Sequence, residues 1–413
     1  MSGFPLLACS VLLIATHTSS LAATASPGED SKALVAHLKS KDDAELQGAL
    51  QGLKELGAPG LDGLLKATKH EKAWVRATAW HWIEGLGADA KPALEPLCNA
   101  LSKPPRDEWA STAELALGFG MQIGMIGAFV KGGPIPVQRD SNKEEQAQFE
   151  ALVERLSAMS ALVKLGSAEP AALVPWIDKA KLPLDRGYLD LHACFAAAIA
   201  SSGEAGKAVL KSGLSAESPR VHVACLVACC MVGKKSGDLG PDIDALLGSP
   251  EPAVRALASE AHFGVRQPCD AVRARLLELV QDPSAYVRVH AARALATGCE
   301  AATEVLPAIE KGLTDSSPFV RLASIEVLGS LSKEPLFPTK KDFVPIRSET
   351  AVKPLTSALS DASAEIRKRA AQTLGNYGAP AKSALPALHK LEKDPDSAVR
   401  KAVAAAIQAL EKS

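Results

Sequence analysis

A histidine and two cysteines near the middle of the chain have a spacing that could bind a metal ion. His222, Cys225 and Cys229 stand at i, i+3 and i+7, on one face of a helix. Imidazole and thiolate are good ligands for zinc. The two cysteines, however, occupy positions that are apolar elsewhere in a repeat described below, and free cysteine is among the most buried residue types. We therefore expect core packing here and assign no metal ligand.

Other polar residues also have simple structural explanations. Asp238, Asp242 and Asp244 lack the spacing of an EF-hand loop, and they suit the first turn of a helix that Pro241 opens. His262 stands at a repeat position that is otherwise apolar, so a core histidine is favoured over a ligand. A disulfide between Cys269 and Cys299 is left as an open alternative, because both cysteines fall in turns between helices.

Signatures of catalysis and of nucleic-acid binding are missing from the sequence. It contains no G-x-S-x-G, H-E-x-x-H, C-x-x-C or G-x-x-x-x-G-K-[ST] motif. The 46 basic and 47 acidic side chains give a net charge of −1, whereas a dedicated nucleic-acid binder needs an excess of Lys and Arg. We predict no catalytic residue, no cofactor and no nucleic-acid partner.

The composition points to helices packed closely together. Among 413 residues there are 72 alanines and only 17 aromatic residues. Alanine has the highest helix propensity and lets backbones approach, whereas strands favour β-branched and aromatic residues. An all-α protein follows from this composition.

A repeat of 33 residues organises these helices. A Val or Ile followed by Arg recurs in steps of 33, 33, 46 and 33 residues, at Val254, Val287, Val320, Ile366 and Val399. We call this Val or Ile position 0; apolar or small residues follow at positions 4, 7 and 8, on one helix face. An Asp stands five residues before position 0 in the last four copies, followed by helix-starting residues. We expect the glycines of Leu56-Gly57, Leu86-Gly87, Leu328-Gly329 and Leu374-Gly375 to end helices.

This unit resembles the HEAT repeat, in the short form first associated with phycobilisome lyases. The resemblance rests on helices such as Ala384-Leu385-Pro386-Ala387-Leu388, on the Asp-(x)4-Val-Arg turn and on the Leu-Gly ending. It implies an α-α superhelical solenoid of roughly ten helix pairs. It also implies a structural ladder of hydrogen bonds between the repeat aspartates and arginines, formed by Asp282, Arg288, Asp315, Arg321, Asp361, Arg367, Asp394 and Arg400.

The repeat divides the chain, and its interruptions are candidate contact sites. The expected order is a signal peptide (1–25), repeats (26–103), an irregular insertion (104–150), repeats (151–331), a loop insertion (332–350) and C-terminal repeats (351–413). The signal rests on the apolar residues 4–15 and on Ala23-Thr24-Ala25, with cleavage after Ala25. Phe337, Phe343 and Ile346 in the loop, with Trp74 and Trp80, are candidate partner contacts, whereas Trp82 at position 7 is assigned to the core.

Together these observations predict a non-catalytic scaffold that is exported to the periplasm or outside the cell. It would bind a protein partner through non-core positions of the second helices, such as Arg293, Glu326, Arg369 and Gln372. No membrane span is expected in the mature chain. The resemblance leaves an alternative, a lyase-like protein that handles a small molecule or chromophore.

Overall fold

The computed structural model describes residues 30–102, 143–179, 184, 191–265, 272–298, 302–332 and 349–413. The chain divides into two compact units, Met1–Ala228 and Cys229–Ser413, and the division falls within one helix. All regular structure within the described residues is helical.

In the first unit the helices are α1 (Ser31–His37), α2 (Asp43–Glu55), α3 (Leu61–Ala67), α4 (Ala73–Gly85), α5 (Leu94–Leu101), α6 (Lys143–Ala168), α7 (Val174–Lys179), α8 (Leu191–Ser201) and α9 (Gly203–Leu214). Helix α10 (Pro219–Val232) contains the division between the units. In the second unit follow α11 (Gly240–Ala245), α12 (Pro252–Gly264), α13 (Arg273–Leu279), α14 (Ala285–Gly298), α15 (Ala302–Gly312), α16 (Pro318–Leu331), α17 (Glu349–Ala358), α18 (Ala364–Tyr377), α19 (Leu385–Lys390) and α20 (Ser397–Lys412).

Successive helices pair, and the second helices of neighbouring pairs pack together. In the first unit α2 packs on α4, α4 on α6 and α6 on α8. In the second unit the same contact joins α12 to α14, α14 to α16, α16 to α18 and α18 to α20. The described residues thus form ten pairs, which confirms the all-α repeat architecture and the expected number of pairs.

Because a second helix packs on its own first helix and on its neighbours, its buried face is wider than four positions. In α16 the expected positions 0, 4, 7 and 8 are buried (Val320, Ser324, Val327 and Leu328), and so is Ile325 at position 5. The prediction that Trp80 is a surface contact is therefore wrong. Trp80 stands at position 5 of α4 and is only 3% exposed, in a helix that packs on both α2 and α6.

The glycines of the Leu-Gly endings have two different roles. Gly57 and Gly87 follow helix ends with φ of 64° and 58°, as expected of left-handed caps. The same prediction for Gly329 and Gly375 is wrong, since both lie inside helices. A Cβ added to Gly375 would stand 2.9 Å from the Cα of Ala406, so this glycine lets α18 approach α20 closely.

Candidate functional site

In four repeats of the second unit, an arginine joins its own turn to the turn of the next repeat. The guanidinium of Arg288 donates from Nε and Nη2 to the carboxylate of Asp315, at 2.9 and 2.7 Å. Its Nη1 donates to the backbone carbonyls of Asp282 and Pro283, at 2.9 and 3.1 Å. The guanidinium of Arg288 thus makes a charge-assisted, bidentate contact with the following repeat and a backbone contact within its own.

The same pairing recurs along the unit. Arg255 pairs with Asp282 and Arg367 with Asp394 through Nε and Nη2, and Arg321 pairs with Asp361 through Nε. Each aspartate also accepts a backbone N–H from the residue two positions on, as Asp315 does from Ser317 at 2.8 Å. The carboxylate therefore serves the arginine of the preceding repeat, whereas the arginine of its own turn binds its carbonyl.

These contacts hold the ladder carboxylates in their charged form. The hydrogen bond from Arg367 lowers the pKa of Asp394 below its usual value. Burial acts to raise the pKa of Asp315, but the hydrogen bonds from Arg288 and from the Ser317 N–H outweigh it, and the net shift is downward. The pKa of Asp361 is lowered in the same way, by the hydrogen bonds from Arg321 and from the Ser363 N–H. The ladder groups are thereby engaged in holding the turns together.

A row of mostly charged side chains runs along positions 3 and 6 of the second helices. It consists of Glu260 on α12, His290 and Arg293 on α14, Glu326 on α16, and Arg369 and Gln372 on α18, and we call it the charged row. Glu260, Arg293, Glu326 and Gln372 all stand at position 6, and His290 and Arg369 at position 3. Because the repeat places them in register, the row runs across successive helix pairs.

Exposed members of the charged row form ion pairs, either with one another or with a residue of the same helix. Nη2 of Arg293 donates to Glu326 Oε2 at 3.1 Å, and these side chains are 52% and 33% exposed. Nε of Arg369 donates to Glu365 Oε1 on its own helix at 2.9 Å. Exposed pairs of this kind contribute little stability, about 0–1 kcal/mol, so a partner can exchange them at low cost.

The row also contains a buried pair that the sequence did not reveal. His290 Nδ1 lies 3.0 Å from Glu260 Oε2, and the rings of His290 and Tyr286 form a T-shaped contact with their centroids 4.6 Å apart. Burial acts to raise the pKa of Glu260, but the hydrogen bond with His290 and the charge of Arg293 outweigh it, leaving a lowered value. A separation of 30 positions in the sequence hides the pair, although positions 6 and 3 of adjacent copies mark its place.

The candidate metal ligands lie in the core. Cys225 and Cys229 are fully buried and His222 is nearly so. Burial raises the pKa of Cys229 to about 12, which keeps it a thiol. Across the part of the chain that the structure describes, no group of three His, Cys, Asp or Glu side chains is placed to hold a metal ion.

His262 and the tryptophans complete the sequence candidates within the described residues. His262 is buried, and its Nδ1 lies 2.7 Å from Asp244 Oδ1, so Asp244 of α11 anchors α12 through this ring. Trp74 is half-buried. Trp82, assigned to the core from the sequence, is also half-buried, with Lys54 Nζ 5.4 Å from its ring centroid. Phe337, Phe343, Ile346, Cys269 and Cys299 lie outside the described residues.

Comparison with known proteins supports the repeat assignment in the C-terminal third. Residues 272–339 and 348–413 match the family model of HEAT repeats. No curated protein sequence matches the chain. None of the described helices is long and apolar enough to cross a membrane.

Several solved structures are similar to this chain at low sequence identity. An engineered protein, structural-genomics target OR497, is 18% identical, with a TM-score of 0.41 and coverage of 93% of this chain and 99% of that one. YIBA_ECOLI is 17% identical, with a TM-score of 0.45 and coverage of 71% and 97%. Kap121p bound to RanGTP is 13% identical, with a TM-score of 0.48 and coverage of 92% and 45%. Since these TM-scores lie below 0.5, the fold assignment rests on the chain's own helix packing.

Proposed function

We propose that this protein is a non-catalytic scaffold that binds another protein through the charged row. The observation that carries the proposal is the register of the row, because a repeat alone requires only a buried face and connecting turns. Arg293 and Glu326 are both partly exposed, and both project from equivalent positions of adjacent second helices. A rigid stack that presents charged groups at regular intervals is suited to an extended protein surface.

The ladder of hydrogen bonds between the turns supports the same function. Arg288, Arg321 and Arg367 fix the turn before each second helix to the turn of the next. The helices that carry the row are therefore held in place before any partner arrives. Such preorganisation reduces the entropy lost on binding.

We also propose that the protein acts in an extracytoplasmic compartment. The support is in the sequence, in the apolar residues 4–15 followed by Ala23-Thr24-Ala25. N-terminal sequencing of the protein purified from its native host tests this step. A chain beginning at Ser26 is expected, and a chain that retains residues 1–25 contradicts it.

Affinity capture with matched variants tests the binding function. The bait is the full chain, and the comparison variant is Arg293→Glu combined with Arg369→Glu, which reverses the two exposed arginines of the row. The control is Lys66→Glu combined with Lys211→Glu, which makes the same change of charge at exposed positions of α3 and α9. We expect quantitative mass spectrometry to show a partner recovered by the wild type and the control, and at least about tenfold less by the row variant.

Two results contradict the proposal. One is a set of captured proteins that the row variant and the control retain equally, since binding would then lie elsewhere. The other is catalytic turnover by the purified wild-type chain that the row variant leaves unchanged, with no partner captured.

A further inference from the structure

The surface that carries the charged row also contains one group of large apolar side chains. Phe319, at position −1 of α16, is 67% exposed, and it is the one exposed large apolar residue in the part of the chain that the structure describes. Leu322 follows at position 2, and Tyr286 and Val289 occupy the same two positions of α14; all three are partly exposed. We call these four residues the apolar patch. Positions −1, 2, 3 and 6 lie on one face of a helix, so the patch borders the charged row.

The repeat itself does not require these side chains. In the neighbouring repeats, position −1 is occupied by Ala253 and Glu365, and position 2 by Ala256 and Lys368. Small or charged residues therefore satisfy the same positions before and after the patch. Apolar side chains stabilise a fold only when they leave water, and Phe319 stays largely in contact with it. An apolar centre with a charged rim is typical of a binding surface.

Contacts within the second unit hold the patch in place. The rings of Tyr286 and His290 form a T-shaped contact with their centroids 4.6 Å apart, and His290 Nδ1 in turn lies 3.0 Å from Glu260 Oε2. On α16, Ala323 follows Phe319 by one turn and is small and buried, so no large side chain fills the surface at that position. An apolar side chain of a partner would thus pack on rings that are positioned before it binds.

The charged groups around the patch carry an excess of positive charge. On α18, Glu365 Oε1 accepts a hydrogen bond from Nε of Arg369 at 2.9 Å, and Glu365 Oε2 accepts one from Nζ of Lys368. These two cations therefore share one carboxylate. Arg293 and Glu326, at position 6 of α14 and α16, form a second pair whose charges cancel. A carboxylate of a partner would complete the pairing on α18, and the exposed Arg369 can exchange Glu365 for it at low cost.

We propose that the apolar patch and Arg369 bind an extended segment of the partner that carries a bulky apolar residue about three residues from a carboxylate. The apolar side chain packs on Phe319 and Leu322, while the carboxylate pairs with Arg369 and leaves Glu365 to Lys368. The spacing follows from the stack, because adjacent packed helices lie about 8–10 Å apart and an extended chain rises about 3.3 Å per residue. The inference rests on the proposed function, since it gives the partner of the charged row its chemistry.

Selection from a random peptide library tests this chemistry. Phage-displayed peptides of about nine residues, which span about 30 Å when extended, are selected on the immobilised full chain. The selected peptides are expected to combine Leu, Phe or Trp with Asp or Glu about three residues away. Fluorescence polarisation then measures the affinity of one such peptide for the wild type and its variants. A selection with no enriched sequence, or with enriched sequences that lack this pair of residues, overturns the inference.

Two substitutions at exposed positions test the two contacts separately. Phe319→Ser removes the apolar contact and is expected to weaken binding of the peptide at least about tenfold. Arg369→Glu is expected to weaken it as much, and a peptide with Lys in place of the acidic residue is expected to bind this variant more tightly than the wild type. Lys211→Glu, at an exposed position of α9, is the charge control and should bind as the wild type does. Thermal unfolding should be unchanged in both variants, because both side chains are exposed.

Unchanged affinity in Phe319→Ser, or an unchanged preference for the acidic peptide in Arg369→Glu, contradicts the inference. Its failure can be told apart from failure of the proposed function. A native partner that is lost by the combined Arg293→Glu and Arg369→Glu variant but retained by Phe319→Ser keeps the charged row as the binding surface and overturns the apolar contact. A native partner that both of these variants retain overturns the proposed function and this inference together.

Discussion

Arg288 and Asp315 form a bidentate pair between two successive repeats, although they belong to different turns and lie 27 residues apart. Both side chains are mostly buried, at 14% and 16% exposure. Because Arg288 also binds the carbonyls of Asp282 and Pro283, one guanidinium connects both turns. The angle between neighbouring pairs is thus set at the turns as well as by the packed helix faces.

Removing either member of this pair should destabilise the second unit. We expect Arg288→Ala and Asp315→Ala each to cost about 2 kcal/mol, since each leaves a largely buried charge unpaired. A double-mutant cycle should give a coupling energy of about 1–3 kcal/mol. Hydrogen exchange of the α14 and α16 amides measures the free energies of unfolding from which this coupling energy is obtained. The matched control is the exposed Arg293–Glu326 pair, whose coupling should not exceed about 1 kcal/mol. Equal coupling in the two pairs would contradict the structural role of the ladder.

The ladder also predicts how the second unit responds to acid. The folded pKa values of Asp315, Asp361 and Asp394 are lowered, so their contribution is fully present above the unfolded value of about 3.9. It is lost as the pH falls through the folded values. We expect amide protection in α14 to α20 to fall steeply below about pH 4. Asp394→Asn should lower stability at neutral pH and flatten this dependence. An unchanged slope in that variant would show that other groups control acid unfolding.

The repeat could be predicted from the sequence because the regular spacing of its residues is enough to identify it. Val287 and Val320 mark equivalent helices, and all-α pairs follow from the apolar positions after each. The choice of partner for each ladder carboxylate could not be read in the same way. Asp315 is nearer in sequence to Arg321 than to Arg288, and only the offset between stacked turns brings it to Arg288. Arg255 is absent from the predicted ladder because Ser249 stands in place of the aspartate in its own turn.

Burial of the second helices on two sides explains most of the remaining differences between the predictions and the structure. The helical periodicity of α4 assigns Trp82 to the core and Trp80 to the surface, because it considers one neighbouring helix only. Packing by α2 and α6 buries Trp80, whereas Trp82 is half-buried. The Leu-Gly pattern predicts a helix end at Gly375 for the same reason, since the contact of Gly375 with Ala406 involves the next repeat. The pair His290–Glu260 is another contact between repeats and leaves no local signal.

His192 should make the first unit sensitive to a different range of pH. Burial, with the nearby charge of Arg220, lowers the pKa of this imidazole to about 4. An unfolded histidine titrates near 6.5, so the unfolded state takes up the proton first as the pH falls. Stability from this group is present above about pH 6.5 and is lost toward pH 4, by up to about 3 kcal/mol. We expect His192→Gln to remove this pH dependence from the amide protection of α8. A variant that retains the slope would assign it to another group.

The buried cysteines should resist alkylation in the folded protein. Burial raises the pKa of Cys98 and of Cys229 to about 12. At pH 8 this reduces the thiolate fraction roughly 10³-fold relative to an ordinary cysteine, and only the thiolate reacts. Peptide mass spectrometry after iodoacetamide treatment should find both residues unmodified until denaturant is added. Addition of a chelator should change nothing. Rapid labelling of Cys229 only after chelation would instead indicate a bound metal that shields a thiolate.

Adding one methyl group at Gly375 should disturb the contact between α18 and α20. A Cβ there would stand 2.9 Å from Ala406 Cα and 3.1 Å from its Cβ, and neither atom can move without shifting a helix. We expect Gly375→Ala to destabilise the second unit by about 1–3 kcal/mol despite the better helix propensity of alanine. The control is Gly85→Ala in α4, where a Cβ meets nothing within 4 Å, so a neutral or slightly stabilising change is expected. Thermal unfolding compares the two variants, and a Gly375→Ala protein as stable as Gly85→Ala would show that the approach of α18 to α20 is not tight.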